Sequence, residues 1–113
     1  MLRAWTEIQI TDPSGYPFQL IARQGLGASQ FSADGIMIVG GFGGKYFDES
    51  LIFNPNQNTI QPTTSQLPQT VFPFAVPTIG SVEKNELVTI DWTTFTVLHY
   101  AQGKWSKVAL LRK

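Results

Sequence analysis

Few residues in this chain are of a type and spacing that could do chemistry. The segment Gly40-Gly41-Phe42-Gly43-Gly44-Lys45 has the small residues and the cation of a phosphate-cradling loop. Such a loop needs Gly-Lys followed by Ser or Thr at the start of a helix. Here Lys45 is followed by Tyr46 and Phe47, then by a strand pattern. A glycine-rich connection between strands is expected instead. His99 is the one histidine, with Asp91 near it in sequence. A nucleophilic triad would also need an activated hydroxyl, and no nucleophile elbow is present. The carboxylate pairs Asp48-Glu49 and Glu83 with Glu86 would need one member of each pair in an apolar pocket to serve as acid and base. All four flank turns, where water reaches them. With no cysteine, thiolate nucleophiles, disulfides and thiolate metal sites are absent. One imidazole does not make a zinc or copper site. No catalytic residue, metal or cofactor is expected, and the chain is expected not to be an enzyme.

The same glycine-rich loop is a better candidate for contact with a partner. Phe42, Lys45, Tyr46 and Phe47 place aromatic rings beside a charge, a combination common at interface anchors. The alternative for Tyr46 and Phe47 is packing within the fold. Phe72-Pro73-Phe74-Ala75-Val76-Pro77 is the most apolar uncharged segment. It reads as an inner strand, or else as an exposed sticky patch.

The elements that must position these residues are strands. Seven prolines and ten glycines leave few windows long enough for a helix. The remaining segments are rich in Val, Ile, Thr, Phe and Trp, which suit a pleated surface. A strand is expected over 5–10, then a turn at Asp12-Pro13-Ser14-Gly15. Residues 16–23 read as a short strand or a loop. Four strands follow, over 27–32, 35–41, 49–53 and 59–63. Asp34-Gly35 forms the first hairpin turn, on the expectation of positive φ. The apolar run 35–41 reads as buried on both faces. A polar linker over 64–69 leads to a second set, over 72–79, 86–92, 95–100 and 104–111. Prolines inside 72–79 leave gaps in its ladder.

The second set echoes the first. Gly40-Gly41 corresponds to Ile90-Asp91, Phe53 to Tyr100 and Ile60 to Trp105, at steps of 50, 47 and 45 residues. Trp5-Thr6-Glu7-Ile8 is similar to Trp105-Ser106-Lys107-Val108, so the chain would open on the last strand of a preceding unit. Four strands per period of about 45–55 residues is a propeller pattern.

On these residues the chain resembles the kelch-repeat family over roughly 27–111. A family blade has Gly-Gly closing its second strand, an aromatic in its third and a large apolar residue opening its fourth. Gly40-Gly41, Phe53 and Ile60 match these places, followed by Tyr100 and Trp105 in the second unit. The second unit departs at Ile90-Asp91-Trp92, which lacks both glycines. The resemblance implies an all-β fold of antiparallel four-stranded blade-like sheets, a partial kelch-type β-propeller. Residues 1–23 would be the outer strand of a preceding blade with its connection, 24–66 the first blade and 67–113 the second. Large side chains would pack blade on blade, each contributing about 2–3 kcal/mol by burial.

Composition limits the partners. At 113 residues the chain fits one domain, and 42% hydrophobic residues suffice for a core. Eight basic and eight acidic residues balance, so there is no surplus to neutralise nucleic acid. Lys104, Lys107, Arg112 and Lys113 read as a solvated strand edge. No run approaches the roughly 18 apolar residues of a membrane span, and the first residues hold no apolar leader core. A cytoplasmic location is expected. Two blades leave apolar faces uncovered, so the expected role is a non-catalytic protein–protein interaction or scaffold module. It would be a subunit or fragment of a larger propeller or assembly, not a free monomer. Its uncovered faces would meet further blades from the same or another chain. The alternatives are a piece of a propeller oxidase and a small closed barrel or sandwich that binds a small ligand.

Overall fold

The computed structural model describes Trp5 and residues 7–18, 21–74 and 78–110. Among these residues it holds eight strands: β1 (Gly27–Ser32), β2 (Gly35–Val39), β3 (Ser50–Asn54), β4 (Thr59–Pro62), β5 (Ile79–Ser81), β6 (Glu86–Asp91), β7 (Thr96–Ala101) and β8 (Lys104–Leu110). They form two antiparallel sheets of four, ordered β1-β2-β3-β4 and β5-β6-β7-β8. The fold is all-β. Among the described residues no helix is long and apolar enough to cross a membrane.

Within each sheet every strand pairs with the next, mostly across short turns. Gln102 and Gly103, at φ 52° and 76°, make a two-residue hairpin between paired Ala101 and Lys104. Asn58 and Asn85 take φ 53° and 56° in the turns before β4 and β6, a conformation Asn tolerates well. The Asp34-Gly35 turn works differently from expectation. Gly35 has no positive φ. A side chain there would collide with Ser32 and the Phe31 ring, so glycine is needed for close approach.

Side chains alternate between faces along a strand, and opposed residues share a face. In the first sheet Met37 pairs with Ile52 and Val39 with Ser50, on one face. Ile36 pairs with Phe53, which pairs with Ile60, on the other. In the second sheet Leu87 pairs with Tyr100, which pairs with Trp105. The core joins Met37 and Val39 to Leu87, Leu98, Tyr100 and Trp105, with Ile52 packed against it. The Trp105 indole Nε1–H donates to Ser50 Oγ at 2.9 Å across the interface.

The two sheets meet as a wedge. At the inner end β1 lies directly against β5 and β6, and a side chain at Gly80 would strike the Gln30 carbonyl. Further out, the connecting strap of 63–72 fills the gap with buried Leu67 and Val71. Each sheet also holds the strap that precedes it through its fourth strand. Trp105 donates its backbone N–H to Ser65 Oγ at 3.0 Å. Ile60 donates its own to the Thr11 carbonyl at 2.9 Å, and Thr11 donates to the Asn58 carbonyl at 3.1 Å.

Several sequence expectations are corrected. The described residues of 5–10 form no strand, and Trp5 is fully exposed. Just beyond this stretch the chain meets β4 through the Thr11–Thr59 bridge, and Thr11 also pairs with Pro17. The strand expected over 72–79 is displaced to β5, which overlaps it only at Ile79; Phe72, Pro73 and Phe74 are irregular and 75–77 lie outside the described residues. Phe95 precedes β7, and Trp92 follows β6. Residues 111–113, with the expected strand end and two of the basic residues, also lie outside. The run 35–41 is not buried on both faces: Met37 and Val39 are buried, whereas Ile36 and Ile38 are half-buried. Finally, register moves the correspondence by one residue. Ile36 stands opposite Phe53 as Leu87 stands opposite Tyr100, so Gly40-Gly41 matches Asp91-Trp92, not Ile90-Asp91.

Candidate partner-binding surface

The ends of β2 and β6 lie beside the strap, and three irregular segments gather there. They are the β2–β3 loop, the β6–β7 loop and strap residues 69–74. Gly40 and Gly41, at φ 59° and 108°, turn the chain off β2. A side chain on Gly40 would overlap the Val71 carbonyl. Gly41 N–H donates to that same carbonyl at 2.8 Å, and Gly40 N–H to the Glu49 carbonyl at 3.0 Å. The pair thus turns sharply and admits the strap, as a Gly-Gly ending is suited to do.

The second sheet solves the same problem with a carboxylate. Asp91, at Gly40's place, is 1% exposed. Its Oδ1 accepts the Phe72 and Thr93 backbone N–H groups at 3.0 and 3.2 Å and the Thr93 hydroxyl at 2.9 Å. Its Oδ2 accepts from Gln69 Nε2 and from the Thr94 hydroxyl, both at 2.8 Å. Neutral donors satisfy both of its buried oxygens. Trp92 N–H then donates to the Phe72 carbonyl at 2.9 Å. The strap is therefore pinned on successive residues, by Gly41 from one sheet and by Trp92 from the other.

Aromatic rings crowd around this pinned strap. Phe42 and Tyr46 lie 5.0 Å apart, Tyr46 and Phe72 meet edge-on at 5.5 Å, and Phe72 stacks on Phe74 at 5.3 Å and 13°. Trp92 and Phe95 lie 5.2 Å apart. Tyr46, Phe74 and Trp92 are 47%, 61% and 43% exposed. Phe74 and Phe95 adopt φ 50° and 57°, left-handed geometry that costs a bulky residue about 1–2 kcal/mol. Hydrogen bonds hold both there, from Phe74 N–H to the Gly25 carbonyl and from Phe95 N–H to the Asp91 carbonyl.

Of the four loop residues expected to contact a partner, the structure keeps three at the surface. Phe42 is half-buried within the aromatic row, and Lys45 and Tyr46 are exposed. Phe47 is 5% exposed and faces inward. The Arg23 guanidinium lies 3.9 Å over its ring, with Lys45 Nζ at 5.6 Å. Arg23 escaped the sequence reading. Its side chain is 2% exposed and its Nη2 donates to Glu49 Oε1 at 2.6 Å. Glu49 is therefore half of an ion pair, not a free loop carboxylate. Trp92 was not singled out as a contact either, and Phe72 and Phe74 were read as part of an inner strand or else an exposed patch; Phe74 is exposed. Their exposure depends on where the strap lies, which local pattern does not encode.

The remaining groups do not converge on a reaction centre. His99 Nε2 lies 3.1 Å from Glu86 Oε1. Its partner in register is Val88, whereas Asp91 alternates with Leu87 on the opposite face. His99 and Asp91 therefore cannot act together. Among the described residues no three His, Asp or Glu side chains gather as a metal site. Of the repeat positions, Ile60, Tyr100 and Trp105 are buried and Phe53 is half-buried. Tyr100 packs edge-on to Phe31 at 5.8 Å, and burial pushes its phenol pKa above the ordinary 10.0. No family model matches this chain, and no curated protein matches it in sequence.

Proposed function

We propose that this chain is a non-catalytic protein-interaction module, a subunit or fragment of a larger kelch-like propeller assembly acting in the cytoplasm. One observation carries the reading. The two sheets are equivalent units, and only one face of each is used in the contact between them. The outer face of the second sheet leaves Ile79 66% and Val88 38% exposed, beside half-buried Ile90 and Val97. Contiguous apolar surface of this kind marks an interaction site. The rim of Tyr46, Phe74 and Trp92 adds rigid aromatic anchors at the loop end of the same stack.

The test is whether those faces behave as open. Purified chain at micromolar concentration should self-associate or bind an environment-sensitive apolar dye. A monomer that binds no dye and unfolds in one cooperative step would refute the reading, since its sheets would need no cover.

A further inference from the structure

The interface inside the chain is a template for the surface outside it. It joins the trailing face of the first sheet, Met37, Val39, Ser50 and Ile52, to the leading face of the second, Leu87, Leu98, Tyr100 and Trp105. Strand register carries each set onto the other sheet. The trailing residues correspond to Val88, Ile90, Val97 and His99 on the exposed face of the second sheet. The leading residues correspond to Ile36, Leu51, Phe53 and Ile60 on the outer face of the first, where Leu51 and Ile60 are already buried within the chain and Ile36 and Phe53 are half-buried. Resting on the functional reading above, we propose that these two outer faces dock on one another head to tail, between copies of this chain.

Three features favour a second copy over another partner. First, the two outer faces are matched in chemistry. Inside the chain Trp105 needs an acceptor and Ser50 supplies it at 2.9 Å. At the corresponding junction Ile60 takes the place of Trp105 and Val97 that of Ser50. Donor and acceptor are replaced together, so neither is left orphaned in a dry interface. Second, the strap that fills the wedge is duplicated. Thr11 holds the first sheet through Ile60 N–H as Ser65 holds the second through Trp105 N–H. The first sheet thus carries the filler that such a junction needs. Third, net charge is zero, so copies do not repel at long range. Two other positions depart from the template. His99, 3.1 Å from Glu86 Oε1, stands at Ile52's place. Gln30 stands at Gly80's place, so the innermost strands at this junction lie further apart than β1 and β5 do.

A head-to-tail contact repeats until it closes or forms a filament. Propellers hold about four to eight blades, so two sheets per copy close with about two to four copies. Each copy would then bury its trailing face against the next copy's leading face, with the aromatic rims gathered at one mouth.

The experiment uses two substitutions at exposed positions, which leave the monomer's own packing intact. Ile79→Glu blocks the trailing face, and Ala28→Glu, on the leading face opposite Ile38, blocks the other. Sedimentation of the wild-type chain should show a discrete oligomer. Each variant alone should be a folded monomer by circular dichroism, and mixing the two should restore a 1:1 dimer, because each retains the face the other lacks. Val88→Glu should reproduce Ile79→Glu. Failure of the mixture to pair, or an Ala28→Glu variant that still dimerises through a two-fold contact, overturns the proposal. A wild-type monomer that binds apolar dye overturns it too, while leaving the interaction-module reading standing. A dye-silent cooperative monomer defeats both.

Discussion

Replacing Gly40 by alanine tests the account of how the two sheets are held. Two costs meet at this residue. Its φ of 59° lies in the left-handed region, where a Cβ costs about 1 kcal/mol. The added methyl would also overlap the Val71 carbonyl, so the strap must move. Moving it stretches the Gly41–Val71 hydrogen bond, worth about 1 kcal/mol. It also loosens Val71 and Leu67, which are 0% and 4% exposed. Full burial of such a side chain is worth about 1.5–3 kcal/mol, and losing part of two gives a total of about 3–5 kcal/mol. Gly44→Ala is the matched control. Its φ is 84° and nothing lies within 4 Å of a methyl there, so only the backbone cost of about 1 kcal/mol remains. Total stability is about 5–15 kcal/mol for a domain, so the first variant should lose about a fifth of it or more. Urea unfolding followed by tryptophan fluorescence at one fixed protein concentration measures both, with buried Trp105 as the reporter. In a thermal melt the difference should appear as roughly 4 °C per kcal/mol. If Gly40→Ala is no less stable than Gly44→Ala, the strap does not depend on close approach at Gly40 and the reasoning fails.

Two further predictions rest on buried polar groups. Asp91→Asn turns one acceptor oxygen into an N–H₂ group, which faces either Gln69 Nε2 or the Phe72 and Thr93 backbone N–H groups, so an N–H loses its acceptor. It should cost about 1–3 kcal/mol in the same urea assay, with a smaller loss refuting the carboxylate as the clasp of the strap. Tyr100 gives a pH dependence. Burial raises its phenol pKa in the folded state above 10.0, so folding favours the protonated form. Its contribution is complete below about pH 10, the unfolded value, and is lost as pH rises through the folded one. Stability should fall above pH 10 less steeply in Tyr100→Phe than in the wild type, read from thermal midpoints across that range.

Much of the architecture was legible in local pattern. Period-two alternation and turn residues such as Gln102-Gly103 specify hairpins through neighbours only a few residues away, and every strand except β5 lies close to where those patterns place it. The Gly40-Gly41 ending was also readable, because two adjacent glycines closing an apolar strand have few uses beyond a sharp turn and a close approach. The site was less legible. Phe47 and Tyr46 are adjacent aromatics of similar character, yet one lies under Arg23 and the other at the surface. What separates them is the path of 21–24, twenty-odd residues upstream. The strand expected over 5–10 failed for a related reason. Alternation there is real, but the chain there meets β4 only at Thr11 and otherwise bonds to 16–18, so among the described residues it gains no ladder over 5–10.

By itself the sequence determined that the chain is antiparallel and all-β, that it repeats, and that glycines replace side chains where β2 ends. Those properties depend on backbone conformation and on contacts between near neighbours. Only the tertiary structure decided which face of each sheet is covered, that Asp91 stands in for a glycine, and that Arg23 is buried against Phe47. Burial is a property of what lies across the gap, and here that is a strap whose position follows from two sheets packing against each other.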